Sequence, residues 1–244
     1  MRRGRRGFVL AELLVALIIA AIIGVSLTQL VISQSRFVAL QSAILQARGG
    51  ARAALNVMAS DFRMVGDSGL VAATPESVTV RVPYAYGVAC LQAAGKTLVS
   101  LLPADSATFF SATSSGYAWR DTTGKYVFVQ PATVTTSLWL LCSWPFTSPS
   151  ITTLSAGGWG PRVVAVGPND TRTPPGSVIY FYQLIQYAFA PSGQLPGRIG
   201  LWRTVVSTGE RDELVAPFDS SAGFQFLDST YTANANPPTD LNQV

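Results

Sequence analysis

The stretch that decides the fold is "RRGRRGFVLAELLVALIIAAIIG" at Arg2–Gly24, where a basic start is followed by an apolar run. The run continues to Ile32 and is interrupted only by Glu12, Ser26, Thr28 and Gln29. As an α-helix, residues 8–32 would span about 37 Å, enough to cross a bilayer with some tilt. A carboxylate at the depth of Glu12 costs about 2–3 kcal/mol in hydrocarbon, so its presence requires an explanation.

Charge is concentrated at the N-terminus. Only 12% of the 244 residues are charged, against about a quarter in an ordinary domain. Four of the 17 basic residues precede the apolar run (Arg2, Arg3, Arg5 and Arg6), which leaves 13 basic against 13 acidic residues elsewhere. The rest of the chain is therefore neutral and has no positive electrostatic potential to attract nucleic acid. By the positive-inside rule, the basic leader is retained in the cytoplasm.

The absence of histidine narrows the chemistry. Without it the chain has no Ser-His-Asp triad and lacks the usual ligands of catalytic zinc. No clustered acid–base pair and no GxxxxGK[ST] loop is present. We therefore expect no enzymatic activity, no metal site and no cofactor.

Three general interpretations of the N-terminal segment compete. A cleaved secretory signal needs a shorter apolar core and a small-residue cleavage site behind it. A twin-arginine signal fits the paired arginines of "RRGFVL" but again requires a cleavage site. A plain signal anchor accounts for length and charge and leaves Glu12 unexplained.

A fourth interpretation accounts for all three features. A short basic leader ending in glycine, an aromatic residue, and a glutamate five positions into a long apolar helix resemble the N-terminus of type IV pilins and pseudopilins. Gly7 matches the residue before the cut, Phe8 the new N-terminus and Glu12 the fifth mature residue, while Val9 and Ala11 depart from the usual pattern. The resemblance implies cleavage after Gly7 by a prepilin peptidase, usually with N-methylation of Phe8.

The resemblance also gives Glu12 a role, because cleavage leaves a free amine on Phe8. The Glu12 carboxylate cannot easily reach the amine of its own helix, but it can reach that of an adjoining, staggered subunit. An opposite charge offsets much of the cost of a buried cation. The alternative is a carboxylate that snorkels to the interface without a partner.

The helical pattern continues beyond the membrane length. Apolar residues recur at steps of three or four and form one stripe: Phe37, Leu40, Ile44, Ala47, Ala51, Leu55, Met58 and Phe62. We expect the stripe to pack on the following domain. Gly49-Gly50 predicts a bend, and "DFRMVG" at Asp61–Gly66 predicts the helix end, with Gly66 in the left-handed position.

After Gly66 the sequence favours strands separated by loops rich in Ser, Thr, Gly and Pro. The predicted strands are "SVTVRV" (77–82), "KYVFVQ" (125–130), "TTSLWLLCSW" (135–144), "SVIYFYQLIQYAFA" (177–190), "RIGLWRTVV" (198–206), "ELVAPF" (213–218) and "GFQFLD" (223–228). The fourth and fifth predict a hairpin, and the charges of "GERDEL" at 209–214 predict a turn. A long helix followed by a mostly antiparallel sheet is an α+β fold.

Residues 177–228 resemble the C-terminal half of W-type minor pilins and J-type pseudopilins. The resemblance lies in the hairpin, the "LWR" sequence and the final Phe-x-Phe. Residues 67–176 show no such resemblance. The implied organisation is a cleaved leader (1–7), a transmembrane and filament-core helix (8–32), its amphipathic continuation (33–66), a β-rich pilin domain (67–230) and a flexible tail (231–244).

Three smaller features leave alternatives open. Cys90 and Cys142 form a disulfide if this part is exported, or are two buried thiols. "GPNDT" at Gly167–Thr171 has too few oxygen ligands for a calcium site by itself. "GGWGP" (157–161), Trp119 and Trp144 would contact a partner or glycan if exposed, and would otherwise pack in the domain.

The expected function is that of a minor pilin or pseudopilin in a type IV pilus or a pilus-like filament. The expected partners are prepilin peptidase, other subunits, an inner-membrane platform with a separate ATPase, and the bilayer. The leader would be cytoplasmic and the domain periplasmic in a bacterial inner membrane, before entry into the filament. The alternatives are a J-type pseudopilin of type II secretion and an anchored periplasmic binding domain that never polymerises.

Overall fold

The computed structural model of the protein describes residues 10–93, 95–102, 104–130, 133–136, 163–169, 173–227, 232–234 and 236–237. The chain divides into two compact units, residues 1–52 and 53–244. Helix α1 runs from Leu10 to Met64 and contributes to both units.

In the first unit the described residues form a single helical segment, the part of α1 from residue 10 to residue 52. The helix is continuous through Gly49 and Gly50. Every side chain described between residues 10 and 49 is exposed, including Leu17 at 64% and Leu40 at 59%. The described part of this unit is therefore a long helix whose apolar side chains are exposed.

The second unit begins with residues 53–64 of α1 and continues as a β-rich domain. Its elements are β1 (Leu70–Ala73), β2 (Ser77–Ala93), β3 (Lys96–Leu101), α2 (Asp105–Ser111), β4 (Gly116–Arg120), β5 (Tyr126–Val129), β6 (Thr133–Thr136), β7 (Val163–Gly167), β8 (Val178–Pro191), β9 (Ile199–Val205), β10 (Glu210–Phe218), β11 (Phe226–Leu227) and β12 (Ala233–Asn234).

The described strands form one ten-stranded sheet and one small two-stranded sheet. The large sheet has the order β10-β9-β8-β2-β3-β7-β6, with β1 paired to β2, β4 paired to β8, and β5 paired to β4. Each pairing in it is antiparallel. The long strands β2 and β8 pair over most of their length and form the centre. The α+β class is therefore confirmed.

Most predicted strands are present, with changed lengths. The hairpin around "PSGQLPG" is confirmed as β8 and β9, and "SVTVRV" is the first third of the longer strand β2. "KYVFVQ" contains β5, and only residues 135–136 of "TTSLWLLCSW" are described, as part of β6. "GFQFLD" contributes only β11, which pairs with β12 at the start of the predicted tail rather than with the large sheet.

The turn predicted at "GERDEL" is wrong. Residues 206–209 form the turn, with Gly209 at φ 72°, and Glu210 already pairs with Val205 in the β10–β9 ladder. These charges are compatible with a strand because β10 is an edge strand of the large sheet. Its residues Glu210, Arg211 and Asp212 are exposed to solvent. Charged side chains are a usual feature of such edge strands.

Three buried clusters make up the core. The largest surrounds the first half of β8 and comprises Ala85, Ala89, Val99, Leu101, Phe109, Tyr117, Trp119, Val164, Val166, Ile179 and Phe181. The second surrounds the other half of β8 and comprises Val78, Val80, Val82, Ile185, Tyr187, Val205 and Phe226, with Met58 of α1 packed against it. The third comprises Cys90, Leu98, Val163 and Ala165.

In the second unit the predicted apolar stripe is confirmed at Met58, which packs against the second cluster, and at Phe62, whose ring lies 5.6 Å from that of Tyr187, and it is wrong at Leu55. Ala54 is 3% exposed there, whereas Leu55 of the stripe is 55% exposed. Ala54, Met58 and Asp61 lie at spacings of four and three on one face, and that face is turned towards the sheet because Asp61 bonds to it. In the first unit, the stripe residues Phe37, Leu40 and Ile44 are exposed.

The predicted end of the helix is confirmed at Met64, but the reason given for Gly66 is wrong. Positive φ occurs two residues later, at Ser68 (61°), and not at Gly66. A Cβ atom on Gly66 would lie 2.5 Å from the ring of Tyr126. Glycine is needed there because the backbone lies directly against that ring.

Candidate functional site

The N-terminal helix carries the residue singled out by the sequence. Glu12 lies in the first turn of α1 and is exposed, among apolar side chains such as Leu13 at 58% exposure. The next acidic residue along the chain is Asp61. The other predicted residues of this segment, Arg2, Arg3, Arg5, Arg6, Gly7 and Phe8, lie outside the described residues.

The same helix is suited to hydrocarbon. It is the one described helix that is long and apolar enough to cross a membrane. Its hydroxyl side chains bond back to their own helix, since Ser26 Oγ donates to the Ile22 carbonyl at 2.9 Å and Thr28 Oγ1 to the Gly24 carbonyl at 2.8 Å. Satisfied hydroxyls avoid much of the cost of entering a bilayer, whereas the carboxylate of Glu12 has no such local partner among the described residues.

The end of α1 is tied to the sheet by a carboxylate. Asp61 Oδ2 accepts a hydrogen bond from Tyr187 Oη at 2.6 Å and forms an ion pair with Arg203 Nε at 3.0 Å. Tyr187 and Arg203 are direct partners in the β8–β9 ladder, so neighbouring strands present both donors to one oxygen. The side chains of Asp61 and Arg203 are 14% and 24% exposed.

Electrostatics at this contact favour a protonated phenol at Tyr187 and a charged guanidinium at Arg203. Burial raises the pKa of Tyr187, and the hydrogen bond to and the charge of Asp61 raise it further. Burial lowers the pKa of Arg203, but the charge of and hydrogen bond to Asp61, together with smaller contributions from Tyr187, leave the pKa raised overall. The contact is a charged anchor between helix and sheet.

A groove lies at the end of α1 within the second unit. It has a volume of about 690 Å³ and is bounded by the helix end, the segment before β1, the start of β5 and residues 224–226. Its floor is apolar and buried, formed by Val78, Val80 and Phe226. Its rim is polar and exposed, formed by Asp67, Ser68, Lys125 and Gln225. A groove of this size is within the usual range for ligand sites and for pockets that receive a partner side chain.

The other residues that the sequence singled out as possible contacts either lie in the core or fall outside the described residues. Trp119 is 3% exposed and belongs to the main core, so it is not a surface contact. Trp144 and "GGWGP" lie outside the described residues, as do Asp170 and Thr171 of "GPNDT". Among the described residues, no three His, Cys, Asp or Glu side chains come together.

Cys90 is fully buried and is disulfide-bonded. Cys142 lies outside the described residues. The Cys90–Cys142 pairing therefore stays a prediction.

Sequence reasoning missed Asp61 and the groove. The signal for Asp61 was present, because a lone acid between Met58 and Phe62 interrupts an apolar helix face. The groove had no comparable signal, since its walls come from four separate segments of the chain.

Comparisons with protein-family models, with curated proteins and with solved structures return no match for this chain. The described residues define an α+β protein, and among them lies one candidate membrane span.

Proposed function

We propose that this chain is a pilin-like subunit, a minor pilin or pseudopilin that assembles into, or primes the tip of, a type IV pilus or a related filament. Its leader lies in the cytoplasm and is cleaved after Gly7 by a prepilin peptidase. The new N-terminal Phe8 is methylated. The helix holds the subunit in the inner membrane until an assembly platform, driven by a separate ATPase, extracts it into the filament.

The observation that carries this proposal is the position of Glu12. It is the one charged residue between Leu10 and Ser35, and it lies on a helix whose side chains are all exposed through residue 49, wherever they are described. An exposed carboxylate in such a surface costs about 2–3 kcal/mol in hydrocarbon, and a partner of opposite charge offsets much of that cost. The amine of Phe8 in a neighbouring, staggered subunit is a partner of opposite charge at the right end of the helix.

The architecture supports the same proposal. The first half of α1 is apolar, and the end of its second half packs on an antiparallel sheet. This is the arrangement that the pilin resemblance implies. The exposed apolar side chains of residues 10–35 need a nonpolar environment, which a bilayer supplies before assembly and a bundle of helices supplies afterwards.

Replacing Glu12 tests the assembly role. In bacterial cells that contain a prepilin peptidase and an assembly platform, Glu12→Ala should insert and lose its leader but fail to enter filaments. Gln29→Ala is the matched control, because it removes a polar side chain from the same helix without removing a charge. Filament incorporation of Glu12→Ala at the level of Gln29→Ala would contradict the docking role of Glu12. Absence of the native chain from filaments would favour an anchored domain that does not polymerise.

A further inference from the structure

Helix α1 exposes apolar side chains beyond the length that a bilayer covers. Residues 8–32 already span about 37 Å as a helix, so the residues that follow continue outside the hydrocarbon. Phe37, Leu40 and Ile44 are 61%, 59% and 38% exposed, and together with the exposed Ala47 they form one stripe on the helix. This set of four is called here the outer stripe. Its contact with water is unfavourable, so the stripe is stabilised by a partner.

Three arginines lie along the outer stripe, and no acidic residue balances them. Arg36, Arg48 and Arg52 are exposed, and their side chains have no partner in the part of the chain that the structure describes. The sequence contains no acid between Glu12 and Asp61. Arg48 and Arg52 are also four residues apart, a like-charge spacing that destabilises a helix by itself.

The arginines are placed where charges select a partner helix. The outer stripe has the alternating spacing of three and four residues that forms the seam between packed helices. Arg36 directly precedes its first residue and Arg48 directly follows its last, so the two lie about 60° to either side of its centre. Charges that flank a seam set partner choice, because an opposite charge on the partner attracts and a like charge repels.

A second copy of this chain fits the outer stripe poorly. The proposed pairing of Glu12 with the Phe8 amine of a neighbour sets a stagger of four residues, about 6 Å. At that stagger Arg52 of one copy lies level with Arg48 of the next, so like charges come together. Asp61, the nearest acid along the helix, is 14% exposed and already bonded within its own domain.

The surface of the bilayer does not fit either. The helix is continuous through these residues, so the part that follows the membrane span extends away from the membrane. Arg48 and Arg52 lie about 24 and 30 Å beyond Ile32 along the helix axis. Those distances exceed the screening length of about 8–10 Å at physiological salt, so anionic headgroups attract these arginines little.

We propose that the outer stripe receives a helix of a different chain, which has an apolar seam flanked by aspartate or glutamate residues. The inference rests on the proposed function, because the stagger and the crossing of the bilayer come from it. It names the kind of neighbour that this subunit takes in the filament. The subunit is then placed singly beside an acidic partner and does not form a run of its own copies.

A charge-reversed copy of the chain supplies an acidic helix for the test. It carries Arg36→Glu, Arg48→Glu and Arg52→Glu and keeps the outer stripe. The native full chain, labelled with nitrogen-15, is mixed in lipid vesicles with an equal amount of the unlabelled variant. Both carry photoreactive benzoylphenylalanine at Gln41, beside the stripe, and adducts are counted by mass spectrometry.

The readout is the ratio of mixed adducts to adducts between native copies. It should exceed the ratio for random pairing about tenfold at low salt, because three charge contacts change from repulsive to attractive. It should fall back towards the random ratio in 1 M NaCl, where the screening length is about 3 Å. A random ratio at low salt, or adducts that join Gln41 to lipid in place of a helix, would overturn the inference.

Matched variants separate the outer stripe from general charge attraction and general stickiness. A copy with Arg120→Glu, Arg198→Glu and Arg211→Glu changes net charge equally at exposed arginines of the β-rich unit, and it should pair at random with the native chain. Leu40→Ser in the native chain should lower the yield of mixed adducts, whereas Val38→Ser, 64% exposed but off the stripe, should not. Equal enrichment with the control copy, or equal yields for the two serine variants, would contradict the inference.

A second probe in the membrane span separates this inference from the proposed function. With the photoreactive residue at Leu17, helices should cross-link in every mixture if the chain assembles at all. Cross-links at Leu17 with random pairing at Gln41 would overturn this inference and leave the proposed function standing. Enriched mixed adducts at Gln41 without any at Leu17 would retain the partner surface and contradict assembly in the membrane. Absence of cross-links at both positions would overturn both.

Discussion

Neutralising Asp61 should weaken the domain measurably. The carboxylate is 14% exposed and accepts from two donors, one of them a guanidinium that is 24% exposed. Exposed ion pairs contribute about 0.2–1 kcal/mol, whereas breaking a buried pair costs about 3–5 kcal/mol. The Asp61 contact is intermediate in burial, so we expect Asp61→Asn to lower the free energy of unfolding by about 2–3 kcal/mol.

For a unit of the size of residues 53–244, that loss corresponds to a fall in Tm of about 5–10 °C. The assay is thermal unfolding of the full chain in detergent micelles, followed by near-ultraviolet circular dichroism of its aromatic residues. Glu76→Gln is the matched control, because it neutralises an exposed acid in the turn before β2 and should change Tm by less than about 1 °C.

A double-mutant cycle isolates the pair. In an Arg203→Gln background, Asp61→Asn should lower the free energy of unfolding by clearly less than it does in the native chain. The reason is that the Arg203 guanidinium, which Asp61→Asn would leave unpaired, is already absent. An Asp61→Asn protein as stable as the Glu76→Gln control would refute the assignment of Asp61 as the anchor of the helix. Equal costs in both backgrounds would refute the pairing with Arg203.

Three further predictions concern the same domain. Gly66→Ala should lower the free energy of unfolding by about 1–3 kcal/mol in chemical denaturation, because its Cβ would clash with the Tyr126 ring; an unchanged midpoint would contradict this contact. The pKa of Tyr187 is raised above its unfolded value of about 10, so its contribution is complete below pH 10 and is lost as pH rises further; Tyr187→Phe should therefore lower Tm at neutral pH and flatten its decline above pH 10 in thermal scans. Peptide mapping without reductant should show Cys90 joined to Cys142, and reduction should cost about 4 kcal/mol in denaturant titrations for a loop of this length; two free thiols in the exported protein would contradict the pairing.

The helix and the central hairpin could be predicted because their signals are local. Residues 13–35 contain no charge, and no tertiary contact is needed to make such a run helical in a membrane. The β8–β9 hairpin is marked by aromatic and branched residues on either side of "PSGQLPG". Both elements are where the sequence places them.

Strands β3 and β7 were missed because they are buried on both faces. Most residues of β3 and all of β7 are buried, so neither shows the alternation of apolar and polar residues that identifies a strand. A short apolar run without alternation cannot be distinguished from a piece of helix or loop by periodicity. The pairing of Val99 with Val164 fixes these strands, and that is a contact between distant segments.

The details of the helix end required the tertiary structure as well. Spacing alone favoured Leu55 as a core residue, but the helix is rotated so that Asp61 reaches Tyr187 and Arg203. Glycine at position 66 correctly predicted a nearby helix end, while its physical reason is the approach of the Tyr126 ring. Glu12, in contrast, can be recognised as a candidate functional residue from the sequence and the helix alone, without any tertiary contact.

The most direct test of the pilin-like proposal is the identity of the N-terminal residue of the protein extracted from the membranes of bacteria with an active prepilin peptidase. Intact mass and terminal peptide sequencing should show a chain that begins at Phe8 and is heavier by one methyl group. An N-terminus at Met1, with the arginine leader still attached, would contradict the proposal and leave an anchored domain that is never processed for assembly.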